Sequence, residues 1–244
     1  MLQPGLYEQV INEKIGGELN ALPAQRCATA AIDKAEASQV LAQYLAEVAQ
    51  KGLDDLADKG GDMTAQINLV NQLIQTIEKT TQEADFAPLR VDGRAEQLLV
   101  LLREKDPLLV MSRTADDLPR PETSLARSSL FTGALNEPQM FSELKKEISC
   151  ADRIDMLVSF IKWSGLRLIL EELRTFTQNG GQLRVISTSY MGATDPKAIE
   201  ELNRLPNTQI KISYYTDRTR LHAKTYVFYR NTGFTTAYVG SSNL

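Results

Sequence analysis

The stretch RIDMLVSFI, residues 153–161, decides the class of fold. Its short and nearly continuous run of apolar residues is typical of a buried strand. A helical pattern of apolar residues follows from Ser164 to Gln178 and ends at Asn179-Gly180-Gly181, where the glycines favour the end of a helix. A second apolar run, Leu183 to Ser189, predicts a second strand.

The alternation of strands and helices continues toward the C-terminus. A helix is predicted over Asp195–Leu205, with Asp195 as its N-cap and Pro196 in its first position. Three more strands are predicted at Gln209–Tyr215, Ala223–Tyr229 and Thr235–Gly240, and a hairpin turn at Asn231-Thr232-Gly233 joins the last two. This order implies right-handed crossovers, so we expect an α/β fold with a mixed, largely parallel sheet flanked by helices.

The first half of the chain has helical periodicity instead. Its predicted helices are Pro4–Ile15, Asp33–Ala57, Thr64–Thr80 and Arg94–Arg103, with Asp62 as the N-cap of the third. Between Ala31 and Arg90 there are ten acidic residues and five basic ones. We therefore expect an acidic, all-helical module whose charged faces are either solvated or bind a partner.

A polar segment with two prolines, residues 112–124, separates the two halves of the chain. The sequence thus predicts an acidic helical module at residues 1–111, a linker at 112–124 and an α/β domain at 125–244.

One histidine and two cysteines limit the chemistry that this chain of 244 residues can perform. They exclude a multi-histidine metal site and a zinc cage within one chain, so we expect no metal and no cofactor. We expect neither a signal peptide nor a membrane span, and the usage of cysteine suits a reducing compartment, which predicts a cytoplasmic protein. The net charge of −4 argues against a chain that coats nucleic acid, but it leaves room for a local basic site.

Such a basic stretch lies between Arg204 and Arg230, which contains six basic residues and one acidic residue. Within it, His222 and Lys224 are two positions apart on a predicted strand and therefore project from the same face. If the hairpin turn pairs the last two strands, Gly240–Asn243 returns beside them. An imidazole, an ammonium, a carboxamide and two hydroxyls would then meet at one sheet edge, a set that suits phosphate oxygens and attack on phosphorus.

The HxK and GSxN pattern of these residues resembles the HKD motif of the phospholipase D superfamily. The resemblance implies a phospholipase D-like domain that cleaves phosphodiester bonds in lipids or nucleic acids through a phosphohistidine, without a metal. It makes His222 the nucleophile or general acid, and it makes Lys224 and Asn243 the residues that hold the phosphate. Further substrate contacts are predicted at Ser241, Ser242, Arg220 and Arg218.

This sequence departs from the motif in three ways. Tyr229 stands where the motif has its aspartate, and the spacing to GSxN is longer than usual. The family's downstream glutamate would lie beyond Leu244, so we expect the domain to be truncated at its C-terminal end.

A wider resemblance covers most of the chain. Residues 121–124, 129–133, 158–167, 188–195 and 219–224 look like the N-terminal region of bacterial superfamily II DNA/RNA helicases with a fused phospholipase D-like domain. The helicase motor itself is not in this sequence, because no GxxxxGKS or GxxxxGKT phosphate loop occurs. The resemblance implies that the full-length protein joins a metal-independent nuclease to a helicase motor and acts on nucleic acid, DNA in preference to RNA.

The single histidine constrains this hypothesis. Two-histidine chemistry needs one imidazole to attack and another to protonate the leaving oxygen. We therefore expect a homodimer in which two copies of His222 share one site, with a second motif downstream as the alternative. Two other hypotheses stay open: a catalytically degenerate module that binds nucleic acid or assembles the helicase, and a lipase, which ranks last.

Overall fold

The computed structural model describes residues 2–23, 26–101, 119–132, 134, 137–215 and 220–244. The chain divides into two compact units, Met1–Leu99 and Val100–Leu244. The first is helical and the second contains a five-stranded sheet.

The first unit consists of α1 (Glu13–Asn20), α2 (Ala37–Asp58), α3 (Met63–Thr81) and a 3₁₀ turn (Ala84–Leu89). Helices α2 and α3 agree with the predicted helices within a few residues. Asp62 is the N-cap of α3, as predicted, because its side chain accepts a hydrogen bond from the backbone N–H of Ala65.

Two helix predictions in this unit are wrong. The predicted helix Pro4–Ile15 does not form, because α1 begins only at Glu13, where the Asn12 side chain accepts the N–H of Ile15 as an N-cap. Over Arg94–Arg103, residues 94–101 are not helical, and the last two lie outside the described residues. Ala95 has a φ of 57°, which a right-handed helix cannot accommodate.

The second unit is organised around one sheet with the strand order β3-β2-β1-β4-β5. Its strands are β1 (Arg153–Val158), β2 (Gln182–Thr188), β3 (Thr208–Ser213), β4 (Lys224–Tyr229) and β5 (Thr235–Val239). The pairs β1–β2 and β2–β3 are parallel, whereas β1–β4 and β4–β5 are antiparallel. Four strands therefore share one direction, which confirms the mixed, largely parallel sheet.

Four helices of this unit are described: α4 (Met140–Cys150), α5 (Trp163–Leu166), α6 (Leu170–Gln178) and α7 (Pro196–Asn203). The single helix predicted over residues 164–178 is thus two helices. They separate at 167–169, where Leu168 bonds to the carbonyl of Gly165 and Ile169 leaves helical geometry with a φ of −123°. Helix α4 was not predicted.

The core lies between one face of the sheet and these helices. Alternate residues of β1 and β4, such as Ile154, Met156 and Phe228, are buried on that face with Leu144 of α4 and Leu173 of α6. Strand alternation places the neighbouring residues on the opposite face, where they are partly exposed.

A buried ion pair fastens α4 to the end of the sheet. Glu147 accepts hydrogen bonds from the guanidinium of Arg230, from Thr236 Oγ1 at 2.9 Å and from Tyr238 Oη at 3.0 Å. Its side chain is fully buried, and that of Arg230 is 6% exposed. Both carboxylate oxygens of Glu147 are thereby used, so the charge that α4 carries into the core is satisfied.

We expect Glu147→Ala to lower the free energy of unfolding of this unit by about 3–5 kcal/mol, because it leaves the buried guanidinium without a counter-charge. Urea unfolding followed by the fluorescence of Trp163, the only tryptophan in the sequence, measures the free energy of unfolding of this unit. The matched control is Glu171→Ala, which removes a carboxylate that is 75% exposed and should cost less than about 1 kcal/mol. Equal losses in the two variants would contradict the structural role of Glu147.

Candidate active site

The candidate site lies where β1 ends and β4 begins. Lys224 is the first residue of β4 and pairs with Val158, the last residue of β1. Between His222 and Lys224, the carbonyl of Ala223 accepts two hydrogen bonds from Ser159, from its N–H at 2.8 Å and from its Oγ at 3.0 Å. Because the central carbonyl is held on the β1 side, His222 and Lys224 keep the extended backbone that puts their side chains on one face.

The two side chains touch. Lys224 Nζ lies 2.8 Å from His222 Nε2. An ammonium has donors and no acceptor, so in this contact Nζ donates and Nε2 accepts. The ring of Phe160 stands edge-on to the imidazole, with a centroid distance of 6.5 Å and an angle of 71°.

Burial distinguishes the two members of this pair. His222 is exposed, whereas Lys224 is only 7% exposed. Among the described residues, no carboxylate pairs with Lys224; its side-chain partner is the imidazole. A buried ammonium without an anion is costly, so this edge is electrostatically suited to receive an anion at the imidazole.

The segment after β5 returns to the same edge. Gly240 N donates to the carbonyl of Lys224 at 3.2 Å, and Tyr226 Oη donates to the carbonyl of Ser242 at 3.3 Å. Burial raises the pKa of Tyr226 to about 12, which keeps this phenol protonated as a donor. Asn243 Oδ1 accepts the N–H of Phe160 at 3.3 Å.

The end of this segment is anchored in the core. The side chain of Leu244 is buried, and its carbonyl accepts the N–H of Lys162 at 2.7 Å. The structure thus brings His222, Lys224 and Asn243 to one edge, with Ser241 and Ser242 exposed beside them. The bond from Phe160 uses the Asn243 oxygen and leaves its amide N–H donors available for a ligand.

The two arginines predicted as substrate contacts differ in outcome. Arg218 lies outside the described residues. Arg220 is exposed, and its guanidinium carbon lies 5.0 Å from the ring centre of Tyr190. Arg220 is therefore held beside the loop that follows β2, next to the His222 edge.

Ser187, which is buried, and Thr194, which is half-buried, hold the backbone at this edge. Ser187 Oγ donates to the carbonyl of Ser159 at 3.2 Å and lies 3.3 Å from Thr194 Oγ1, which donates to the carbonyl of Thr188 at 2.9 Å. These groups satisfy one another, so they position the ends of β1 and β2 and are not ligand contacts. The pattern of the sequence gives no sign of the role of Thr194.

Asp195 is the N-cap residue of α7, as predicted, but its side chain bonds to a different segment. The side chain makes no hydrogen bond to α7. It accepts instead the N–H of Trp163 at 2.8 Å, and this bond, with the ammonium of Lys162, lowers the pKa of the Asp195 carboxyl. Asp195 therefore ties the start of α5 to the loop that follows β2.

Tyr229 occupies the motif position of the missing aspartate, and it lies far from the site. Five residues of extended strand separate it from Lys224, a distance of about 16 Å at 3.3 Å per residue. The guanidinium of Arg153 stacks on the ring of Tyr229 at 3.8 Å from its centre. The replacement of the aspartate therefore leaves the contact between His222 and Lys224 intact.

The fold and this edge define an α/β domain with a paired imidazole and ammonium at one end of a mixed sheet. Residues 144–244 match the family model described as "Cardiolipin synthase, PLD-like domain". This part of the chain is therefore similar to phospholipase D-like domains. No match to a curated protein was found.

In the parts of the chain that the structure describes, no helix combines the length and the apolar character needed to cross a membrane.

We expect Gly165→Ala to disturb the segment that carries Asn243. A Cβ atom at position 165 would lie 2.5 Å from the carbonyl carbon of Leu244, so the backbone must shift. The free energy of unfolding, followed by Trp163 fluorescence, should fall by about 1–3 kcal/mol, as for other overpacked sites. The matched control is the motif glycine, because a Cβ at Gly240 would meet nothing within 4 Å. A loss for Gly240→Ala equal to that for Gly165→Ala would contradict this packing.

Proposed function

We propose that the phospholipase D-like domain is a metal-independent nuclease that cleaves phosphodiester bonds through a phosphohistidine formed on His222. The observation that carries the proposal is the contact of 2.8 Å between an exposed imidazole and a buried ammonium that lacks a carboxylate partner in the described chain. An ammonium in this position compensates the negative charge of a phosphate at the point where the imidazole attacks it.

The reaction has two steps. In the first, the ammonium of Lys224 moves from Nε2 of one His222 to the phosphate, and this Nε2 attacks phosphorus. The P–N bond forms, the P–O bond to the leaving group breaks, and the second His222, present as an imidazolium, gives its proton to the leaving oxygen. In the second, water attacks phosphorus, the P–N bond breaks, and the water proton passes to the second imidazole. Lys224 and the amide N–H groups of Asn243 hold the non-bridging oxygens in both steps.

Nucleic acid is the proposed substrate because of the local charge. The chain is acidic overall, yet residues 204–230 carry six basic side chains and one acidic one. Two of the basic side chains, those of Arg220 and Lys224, lie at the His222 edge, whereas Arg230 is neutralised by Glu147 at the other end of the sheet. Such a concentration of positive charge attracts a polyanion and speeds its encounter with the site. A resemblance to helicase-fused domains supports DNA as the substrate, in preference to RNA, and a helicase motor as the partner in a full-length protein. It rests on residues 121–124, 129–133, 158–167, 188–195 and 219–224.

The proposal includes a homodimer. The chain has one histidine, and the two-step reaction needs two imidazoles. His222 is exposed at a sheet edge, where a twofold axis can bring it to face its copy in a second chain.

A degenerate module that binds nucleic acid without cleaving it is the second candidate, and Tyr229 in place of the motif aspartate favours it. The position of Tyr229 weakens this candidate, because the residue lies at the end of β4 remote from His222 and Lys224.

We expect His222→Ala to lower the rate of oligonucleotide cleavage in EDTA by at least about 10³-fold, because it removes the nucleophile. Lys224→Gln should give a similar loss, whereas Lys145→Gln, which removes a lysine of α4 outside the basic stretch, should leave the rate unchanged. Gel analysis of a labelled strand measures the rate. Equal rates of cleavage by wild type and His222→Ala would contradict the catalytic proposal. Turnover of anionic phospholipid vesicles with no cleavage of DNA would assign the site to lipid.

A titration with inactive chains tests the shared site. When wild type is refolded together with a fraction f of His222→Ala chains, the activity should fall as (1 − f)², because each site needs two intact chains. Independent sites would give a linear fall, (1 − f), and would contradict the dimeric site. Light scattering on the same mixtures gives the mass of the assembly.

A further inference from the structure

Aromatic side chains follow each of the three parallel strands at the edge that carries His222. Phe160 comes two residues after the end of β1, Tyr190 two residues after the end of β2, and Tyr214 directly after β3, with Tyr215 next to it. Strand β4 begins at this edge because it runs antiparallel to β1. We call these four residues the aromatic row.

Hydrogen bonds between the loops set the order of the row. Phe160 contacts the imidazole of His222, and the residue before it, Ser159, accepts a bond from Ser187 of β2 at 3.2 Å. On the other side of β2, Ser189 N donates to the carbonyl of Ser213 at 3.1 Å, so the residues that follow them, Tyr190 and Tyr214, lie on adjoining loops. The row therefore starts at the candidate nucleophile and crosses β1, β2 and β3.

Exposure separates the far part of the row from the core. Tyr214 is 79% exposed and Tyr215 is 53% exposed, so these rings contribute little to packing. Met191, which follows Tyr190, is 78% exposed. Tyr214, Tyr215 and Met191 thus present exposed side chains on the loops that follow β2 and β3, where they can contact a ligand.

Arg220 adds a positive charge next to the aromatic row. The guanidinium of Arg220 stacks over Tyr190 at 5.0 Å from the ring centre, within the range of a cation–π contact. Rings that accept stacked bases, together with cations that follow the backbone, are the features with which proteins bind single-stranded nucleic acid. In a duplex the bases are stacked on one another inside the helix, so they are not available to stack on these rings.

The spacing between the β-strands fits a nucleic acid that is not base-paired. Neighbouring strands of a sheet are about 5 Å apart, whereas successive bases of duplex DNA are about 3.4 Å apart along the axis. A nucleic acid whose bases follow loops set by the sheet must therefore be more extended than one strand of a duplex.

We propose that the aromatic row is a stacking platform for unpaired bases, so that His222 acts on single-stranded nucleic acid. The inference rests on the proposed function, which places the scissile phosphate at His222, and it adds that the nucleic acid substrate is single-stranded. Tyr214 and Tyr215 stack bases on the β3 side, and Arg220 contacts the backbone between them and the site.

Binding in the His222→Ala background tests the platform separately from cleavage. Fluorescence anisotropy with a labelled oligothymidylate should show that Tyr214→Ala and Tyr215→Ala each weaken binding by about 10-fold, the effect of one lost stacking contact. The corresponding Tyr→Phe variants keep the ring and should bind like the parent. Phe234→Ala, which removes a ring that is 48% exposed in the turn between β4 and β5 at the other end of the sheet, is the matched control and should have no effect.

Three outcomes would overturn the platform: unchanged affinity in both Tyr→Ala variants, parent binding to a duplex of the same length as tight as to the single strand, or tyrosine-dependent binding to phosphatidylcholine–phosphatidylglycerol vesicles with none to the oligonucleotide. Circular dichroism identifies a variant that fails to fold, and the phenylalanine variants then decide. If wild type cleaves no phosphodiester but the parent binds single strands through these tyrosines, the platform stands and the catalytic proposal falls. Cleavage with unchanged binding in the tyrosine variants gives the reverse result.

Discussion

The edge that carries His222 depends on one buried serine. Ser159 is fully buried, and its N–H and Oγ both donate to the carbonyl of Ala223, which joins the end of β1 to the start of β4. Its own carbonyl accepts Ser187 Oγ, which adds the end of β2. Without these bonds the backbone between His222 and Lys224 would be free to rotate, and the contact between imidazole and ammonium would lose its geometry.

In the part of the chain that the structure describes, buried charge is neutralised at one end of the sheet and lacks a counter-charge at the other. At the end near α4, Glu147 and Arg230 neutralise each other, and two hydroxyls complete the bonds of the carboxylate. At the other end, Lys224 is similarly buried, and its side-chain partner is an imidazole, not a carboxylate. The first arrangement satisfies both charges, whereas the second leaves a buried ammonium without a counter-charge among the described residues. Chemistry is therefore expected at the second end.

The sequence predicts the sheet well because its signals are local. Apolar runs such as Leu183–Ser189 and the turn at Asn231–Gly233 determine strands and their pairing within short distances along the chain. Helix α4 escaped prediction because two of its inward positions are acidic, Glu143 and Glu147, and their partners lie in distant segments. At the site, alternation along β4 brings His222 and Lys224 to one face. The bonds of Ser159 and Asp195 could not be predicted, since each joins residues more than thirty positions apart.

The departure of this sequence from the HKD pattern can be understood from the length of β4. The strand carries Lys224 at one end and Tyr229 at the other. The positions of the motif's lysine and aspartate, five residues apart in the chain, therefore lie at opposite ends of β4. At the Tyr229 end, Arg153 stacks on the ring, and Arg230, the next residue, pairs with Glu147. An aspartate there would face the same arginines as a packing and charge partner. The aromatic ring supplies the packing through its stacked cation, while Glu147 supplies the negative charge. The tyrosine at this position thus affects how the strand end is stabilised and leaves His222 and Lys224 in contact.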